Sequence, residues 1–225
     1  MARILLVRHG QASWGAADYD QLSEVGERQS RHVGEVLAAR GVRPDLVVRG
    51  TLRRHAQTAE ATLAGGGWAE GSGPEVVEEP GWDEFHHEDV FAAHPTGLPE
   101  GEWFADEADF RRWFDAAMTR WTGGGEGYRE PFSAFGARVV AALQRTVDAL
   151  GEEGRTALVF TSGGAISWVV THLLSAPAPT WQRLNFVTAN ASLTHLHVRD
   201  GAASLLTYND HSHFTGPDAE LLTFR

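Results

Sequence analysis

Residues 4–10 read Ile4-Leu5-Leu6-Val7-Arg8-His9-Gly10, and they decide how the rest of the chain is organised. Four consecutive apolar residues show no alternation, as expected of a strand covered on both faces, the kind that builds parallel sheets. The run stops at a guanidinium, an imidazole and a glycine. Polar groups directly after a buried strand stand where open α/β sheets bind their ligands.

Two later segments repeat the pattern. Leu46-Val47-Val48 leads into Arg49-Gly50-Thr51 and then Arg53-Arg54-His55, and Ala157–Phe160 leads into Thr161-Ser162-Gly163-Gly164. Helical stretches separate them. One starts after Ser23, a good N-cap with Glu24 and Glu27 behind it, uses Val33, Val36 and Leu37 for its apolar contacts, and ends at Gly41 and Pro44. A second covers about Leu52 to Leu63. A third lies between Ser133 and Gly151 with Val140, Leu143, Val147 and Leu150 as its stripe. A fourth follows Gly164 to about Leu174. A glycine-rich loop leads to a short strand at Val76–Val77, and Leu193–Val198 with Ala203–Asn209 form an antiparallel hairpin about Asp200-Gly201. The expected fold is α/β, a three-layer α/β/α domain over residues 1–225 with a mixed, mostly parallel sheet. Residues of about 83–130, rich in Trp, Phe and acidic side chains, form a helical insertion or lid over the carboxyl edge of the strands.

Composition narrows the chemistry. The chain has 225 residues, no cysteine and a formal net charge of −11. Disulfides, thiolate metal sites, iron–sulfur clusters and thiol nucleophiles are excluded. An acidic surface repels nucleic acid. The first apolar run is too short for a signal peptide, no stretch approaches a membrane span, and a cytoplasmic protein is expected. If the three buried strands are parallel neighbours, an imidazole, guanidiniums, a hydroxyl and helix-start amides converge, a set suited to phosphoryl transfer. Singly, each has a plainer reading: a structural histidine, arginines on a solvated helix face, a tight Gly-Gly turn. Their joint occurrence at three strand ends favours the site.

Four segments together resemble the histidine phosphatase superfamily, which includes the cofactor-dependent phosphoglycerate mutases. LLVRHGQAS at Leu5–Ser13 is similar to its opening strand and Arg-His-Gly. LSEVGERQS at Leu22–Ser30 and TLRRHAQTA at Thr51–Ala59 are similar to its second and third motifs, and WDEFHH at Trp82–His87 places Glu84 at the position of its proton donor. The resemblance implies that His9 attacks phosphorus and carries the phosphoryl group, that Arg8 and Arg54 neutralise the equatorial oxygens, and that Glu84 protonates the leaving oxygen and then activates water. It implies no metal and no cofactor, because arginines supply the positive charge. The partner implied is a small phosphorylated molecule.

The chain departs from the family pattern at Ser162, which stands where a second histidine is expected to donate a charge-assisted hydrogen bond to the phosphoryl group. A neutral hydroxyl makes a bond about half as strong. Three outcomes are open: Ser162 serves, supported by Thr161 and the Gly163 amide; another histidine (His55, His86 or His87) enters the pocket; or the site binds phosphate without turnover. Gly15 lies where the family often has an asparagine, leaving Gln11 and Ser13 as polar contacts, with Trp14 and Tyr19 as pocket walls or packing residues. His211 and His213 flank Ser212 without a known zinc spacing, so a packed loop is the better reading. The insertion aromatics Trp103, Phe104, Phe110, Trp113, Phe114 and Trp121 line a pocket or, as the plainer reading, pack a core. The function expected is a phosphomonoester hydrolase; a phosphomutase and a non-catalytic phosphate-binding protein are the alternatives. Substrate identity and oligomeric state are not encoded in these patterns.

Overall fold

The computed structural model describes residues 2–13, 20–69, 73–99, 104–151 and 154–224. Trp14, Gly15, Tyr19 and Trp103 lie outside the described residues. The strands are β1 (Ala2–Arg8), β2 (Leu46–Arg49), β3 (Glu75–Glu78), β4 (Thr156–Thr161), β5 (Leu193–Arg199) and β6 (Ala202–Asp210). The helices are α1 (Glu24–Ala39), α2 (Arg53–Gly65), α3 (His87–Ala92), α4 (Glu107–Thr122), α5 (Phe132–Leu150), α6 (Gly163–Leu173) and α7 (Ala178–Val187). The six strands lie in the order β3-β2-β4-β1-β5-β6. β3, β2, β4 and β1 are parallel, while β5 and β6 run antiparallel at one edge. The mixed, mostly parallel sheet is as expected.

The apolar runs fill both faces by strand alternation. Ile4, Leu6, Val48, Ala157 and Val159 point into a core completed by α5 and α6. Leu5, Val7, Val47, Leu158 and Phe160 point the other way, against Val33 and Leu37 of α1 and Ala59 of α2. This makes the three layers. Ser23 caps α1 by accepting from the Gly26 amide at 3.1 Å. The turn at Asp200-Gly201 has φ of 51° and 74°, the left-handed pair that a two-residue hairpin requires.

The structure corrects two details and adds a helix. The buried face of α5 runs through Val139, Ala142, Leu143, Thr146, Val147 and Leu150, with Val140 at its margin. A stripe this wide moves the seam by one residue. α2 begins at Arg53 and extends to Gly65. α7 was not expected; it docks through Trp181, whose Nε1 donates to Gly164 O at 2.8 Å. Within residues 83–130, α4 buries Trp113, Ala117, Met118 and Trp121. Trp121 packs against Phe85, Phe132, Phe135 and Trp181, so that aromatic belongs to the core.

α1 and α2 touch through glycine. A Cβ at Gly34 would stand 2.0 Å from Thr62 O, a backbone atom that cannot rotate away. Gly34→Ala is expected to destabilise the protein by about 2 kcal/mol, because overpacking at a fixed backbone outweighs the ~1 kcal/mol gained in helix propensity. Urea denaturation reads the effect as a lower midpoint at unchanged slope; a midpoint equal to or above wild type would contradict the close packing.

Candidate active site

β2, β4 and β1 are adjacent and end level: Arg8 pairs with Thr161, and Arg49 with Phe160. Two amides continue the ladder past the strands, His9 N to Thr161 O at 2.9 Å and Gly50 N to Phe160 O at 3.1 Å. The three polar strand ends therefore meet, at the carboxyl edge where an open α/β sheet has room for a ligand.

His9 is 5% exposed. Its Nδ1 lies 2.7 Å from Gly10 O. A carbonyl only accepts, so Nδ1 carries the hydrogen and Nε2 keeps its lone pair. Its backbone carbonyl accepts from Ala191 N at 3.2 Å and Asn190 Nδ2 at 3.4 Å. Burial pushes its pKa well below the usual 6.5, and the charges of Arg54 and Arg8 and the His55 ring add to this, against the Gly10 carbonyl. The ring is neutral at pH 7.

Arg54, in the first turn of α2, donates to Asp20 Oδ1 at 2.6 Å, while Asp20 Oδ2 accepts from Arg53 N at 2.8 Å. Thr58 accepts from Gly10 N at 3.1 Å and ties α2 to the His9 loop. Arg8 reaches the Thr188 carbonyl beyond α7. Its Nε lies 3.5 Å from where a Gly163 Cβ would be, so the glycine opens the space beside the guanidinium. Ser162 occupies the N-cap position of α6 and is fully buried.

Glu84 lies against the same helix start, its Oε2 accepting from Gly164 N at 3.0 Å. A Cβ on Gly164 would be 2.1 Å from Glu84 Oε1, so a glycine is required for this approach. Burial raises the pKa of Glu84, and the Gly164 amide, Arg54, the Phe85 amide and Arg8 each pull it back in part. A carboxyl with that balance is suited to giving and taking a proton.

Gln11 and Ser13 lie on the same loop with their side chains engaged locally. Gln11 Oε1 accepts from Ser23 Oγ at 2.9 Å, and Ser13 Oγ donates to Leu22 O at 3.0 Å. Of the three candidate histidines, His55 is fully buried with its ring centroid 5.9 Å from that of His9. His87 is partly buried within the field of Arg54, and His86 is exposed. His211 and His213 are packed: His211 Nδ1 donates to Asn209 O at 2.7 Å, and His213 Nε2 lies 3.1 Å from Ala191 O. Among the described residues no group of three or more His, Asp or Glu is placed to share a metal ion. None of the described helices is long and apolar enough to cross a membrane. Sequence reading missed Asp20, the anchor of Arg54, and Asn185, whose Oδ1 would lie 2.7 Å from a Gly163 Cβ. Neither carries a motif signal, and Asn185 belongs to the unexpected α7.

The buried histidines make stability fall in acid. His9 and His55 have pKa values well below 6.5, and burial lowers His213 to about 4. The unfolded chain then binds protons that the folded chain refuses, so stability is complete above about pH 6.5 and is lost as pH falls toward the folded values. Each histidine contributes a slope of about 1.4 kcal/mol per pH unit, and three together about 4. Glu84 opposes this in part, because its raised pKa lets the folded state take up a proton first, between that raised value and about 4.5. Urea midpoints measured from pH 7.5 to 5 should drop steeply; a flat profile would show that these rings are not held neutral.

A family model described as histidine phosphatase superfamily (branch 1) matches residues 4–211, and the chain belongs to that superfamily. It is 28% identical over 221 residues to the metal-independent phosphoserine phosphatase of Arabidopsis thaliana, covering 96% of this chain and 84% of that protein. It is 37% identical over 67 residues to the 2,3-bisphosphoglycerate-dependent phosphoglycerate mutase of Corynebacterium diphtheriae, a match spanning about a quarter of each chain (27%). A crystal structure of a phosphoserine phosphatase variant from Entamoeba histolytica in complex with phosphoserine superposes with a TM-score of 0.65 at 19% identity, over 96% of this chain and 100% of that one.

Proposed function

We propose that the protein is a phosphomonoester hydrolase acting through a phosphohistidine on His9. The observation that carries this reading is the contact of His9 Nδ1 with the Gly10 carbonyl: it places the hydrogen on Nδ1 and leaves Nε2 bare, within the field of the same two arginines, Arg54 and Arg8, that act on Glu84. Nε2 attacks phosphorus, the P–O ester bond breaks, and the leaving oxygen takes the proton of Glu84. The phosphorylated ring is cationic, which strengthens its Nδ1–H bond to Gly10. Arg8 and Arg54 stabilise the charge spread over the equatorial oxygens. Glu84, now a carboxylate, removes a proton from water as that water attacks phosphorus. The P–N bond breaks, inorganic phosphate leaves, and His9 and Glu84 regain their starting protonation. The phosphatase relative supports hydrolysis, and its small substrate supports a small phosphorylated partner. Residues Phe110, Phe114 and Phe186 line a groove between α4 and α7, one residue from Asn185, and are the surface we assign to the organic part of the substrate.

The test is a panel of phosphomonoesters followed for phosphate release and for protein labelling in base-quenched samples. Release together with an acid-labile, base-stable label on His9 is expected. Bound phosphate with neither release nor label would overturn the reading and leave a binding protein.

A further inference from the structure

Ser162 does not do what a serine at its position ordinarily does. It sits at the N-cap of α6, where a hydroxyl commonly accepts from an amide of the first turn, yet it makes no such bond. Its Oγ instead lies 2.7 Å from Nε2 of His55, and both residues are fully buried. His55 comes from a different unit of the fold, the first turn of α2, next to Arg54. The slot for its ring is built by Gly50: a Cβ there would stand 2.3 Å from His55 Nδ1 and 2.5 Å from Asp83 Oδ1. Asp83 is held in turn by Thr51, whose amide and hydroxyl each donate to it at 2.6 Å. A glycine at 50, a histidine at 55 and a serine at 162 thus fit one another at the place where a single histidine on β4–α6 would otherwise be expected.

We propose that His55 and Ser162 act as one donor that replaces the absent second histidine. This rests on the phosphohistidine reading of His9. With the substrate bound, His55 Nε2–H donates to Ser162 Oγ, and the hydroxyl hydrogen is thereby directed to a phosphoryl oxygen. Serine can do both because its oxygen accepts while its hydrogen donates. A hydroxyl already accepting a hydrogen bond is a better donor, since successive bonds polarise one another in a low-dielectric site. The ring stays neutral: burial, then Arg54 and Arg49, hold its pKa well below the ordinary value. The relay therefore needs no second cation beside Arg8 and Arg54. His55 touches the substrate only through Ser162, so it is a positioning residue.

Kinetics and ring NMR test this together. Ser162→Ala and His55→Ala should each lower kcat about a hundredfold with KM changed less than about threefold, the behaviour of a donor that matters most in the transition state. The double variant should be no worse than either single one. His55→Gln keeps an N–H donor and should recover about tenfold over His55→Ala. Ser162→His combined with His55→Ala returns the imidazole to β4–α6 and should recover activity as well. Thermal midpoints show whether each variant folds, and His55→Gln serves as the main variant if His55→Ala does not. Orthovanadate, a five-coordinate phosphoryl analogue, provides a readout independent of turnover: the nitrogen-15 spectrum of His55 in its complex should show a protonated Nε2, altered in Ser162→Ala. Additive losses, unchanged kcat in folded Ser162→Ala, or an unprotonated Nε2 with vanadate bound would each overturn the pair. If the wild type shows neither turnover nor a label on His9, the hydrolase reading fails and the pair, which rests on it, fails with it; a wild type that turns over with any of the three overturning results above sinks the pair alone. If vanadate does not bind, both fail.

Discussion

His9→Ala is expected to reduce phosphatase turnover by about 10⁴- to 10⁶-fold, the scale on which removal of a nucleophile acts. The residual rate is that of water attacking a phosphoryl group still held by Arg8 and Arg54. Substrate affinity should fall little, because the arginines and the α6 amides are untouched. Alanine opens a cavity in a site that otherwise keeps its backbone, since Ala191 N and Asn190 bond the carbonyl of residue 9 and not its side chain. Steady-state kinetics with the base-stable label as a second readout checks this. A variant that folds and retains more than about 1% of wild-type turnover would remove His9 from the mechanism, for no other group is assigned to attack phosphorus.

Glu84→Gln is expected to lower kcat/KM by about 10²- to 10⁴-fold for alkyl phosphates and far less for an aryl phosphate whose leaving group departs without a proton. The contrast between substrates matters more than the magnitude. In kcat/KM the wild-type profile is expected to fall in acid as His9 is protonated, below 6.5 by the sign of its shift, and to fall in base as Glu84 loses its proton, above 4.5 by the sign of its own. Glutamine cannot lose that proton, so the basic limb should vanish while the acid limb remains. With the aryl substrate, slow water attack should make the phosphoenzyme accumulate. Equal losses for both substrates, or a basic limb unchanged in the variant, would assign Glu84 a merely structural place against Gly164.

The sheet was legible because its central strands are unbroken apolar runs followed at once by polar turns that carry glycine. α7 was not legible. It has ten residues and one buried side chain, Trp181, so it has no stripe to detect. The neighbouring positions Val139 and Val140 could not be ordered from spacing alone, since the wide buried face of α5 admits either. In the site, Arg8 and His9 are read directly from the end of β1 and Arg54 from the segment after β2, while Glu84 is found only through the resemblance of Trp82–His87 to a family motif. What spacing cannot convey is which side chains touch after folding. His55 and Ser162 are 107 positions apart, and Gly164 is 80 from the carboxylate it admits. Histidine 55 could be named as a candidate, but its ring required the slot at Gly50, which is visible only once β2 lies beside β4.

Glu84 lies near the start of the stretch of about 83–130 that we propose as an insertion, and the next residue, Phe85, is wedged among Trp121, Phe135 and Trp181. The carboxyl group is thus mounted at the root of that stretch, beside side chains of the main core, while the groove residues Phe110 and Phe114 lie further along it on α4. Such a layout separates two demands that compete in most pockets. On the proposed function, α4 is open to remodelling toward new esters, residue by residue, without disturbing Glu84 as the proposed proton donor. A library confined to Glu107–Asp115 should therefore yield variants that differ widely in which esters they accept and little in the pH limbs of their rates.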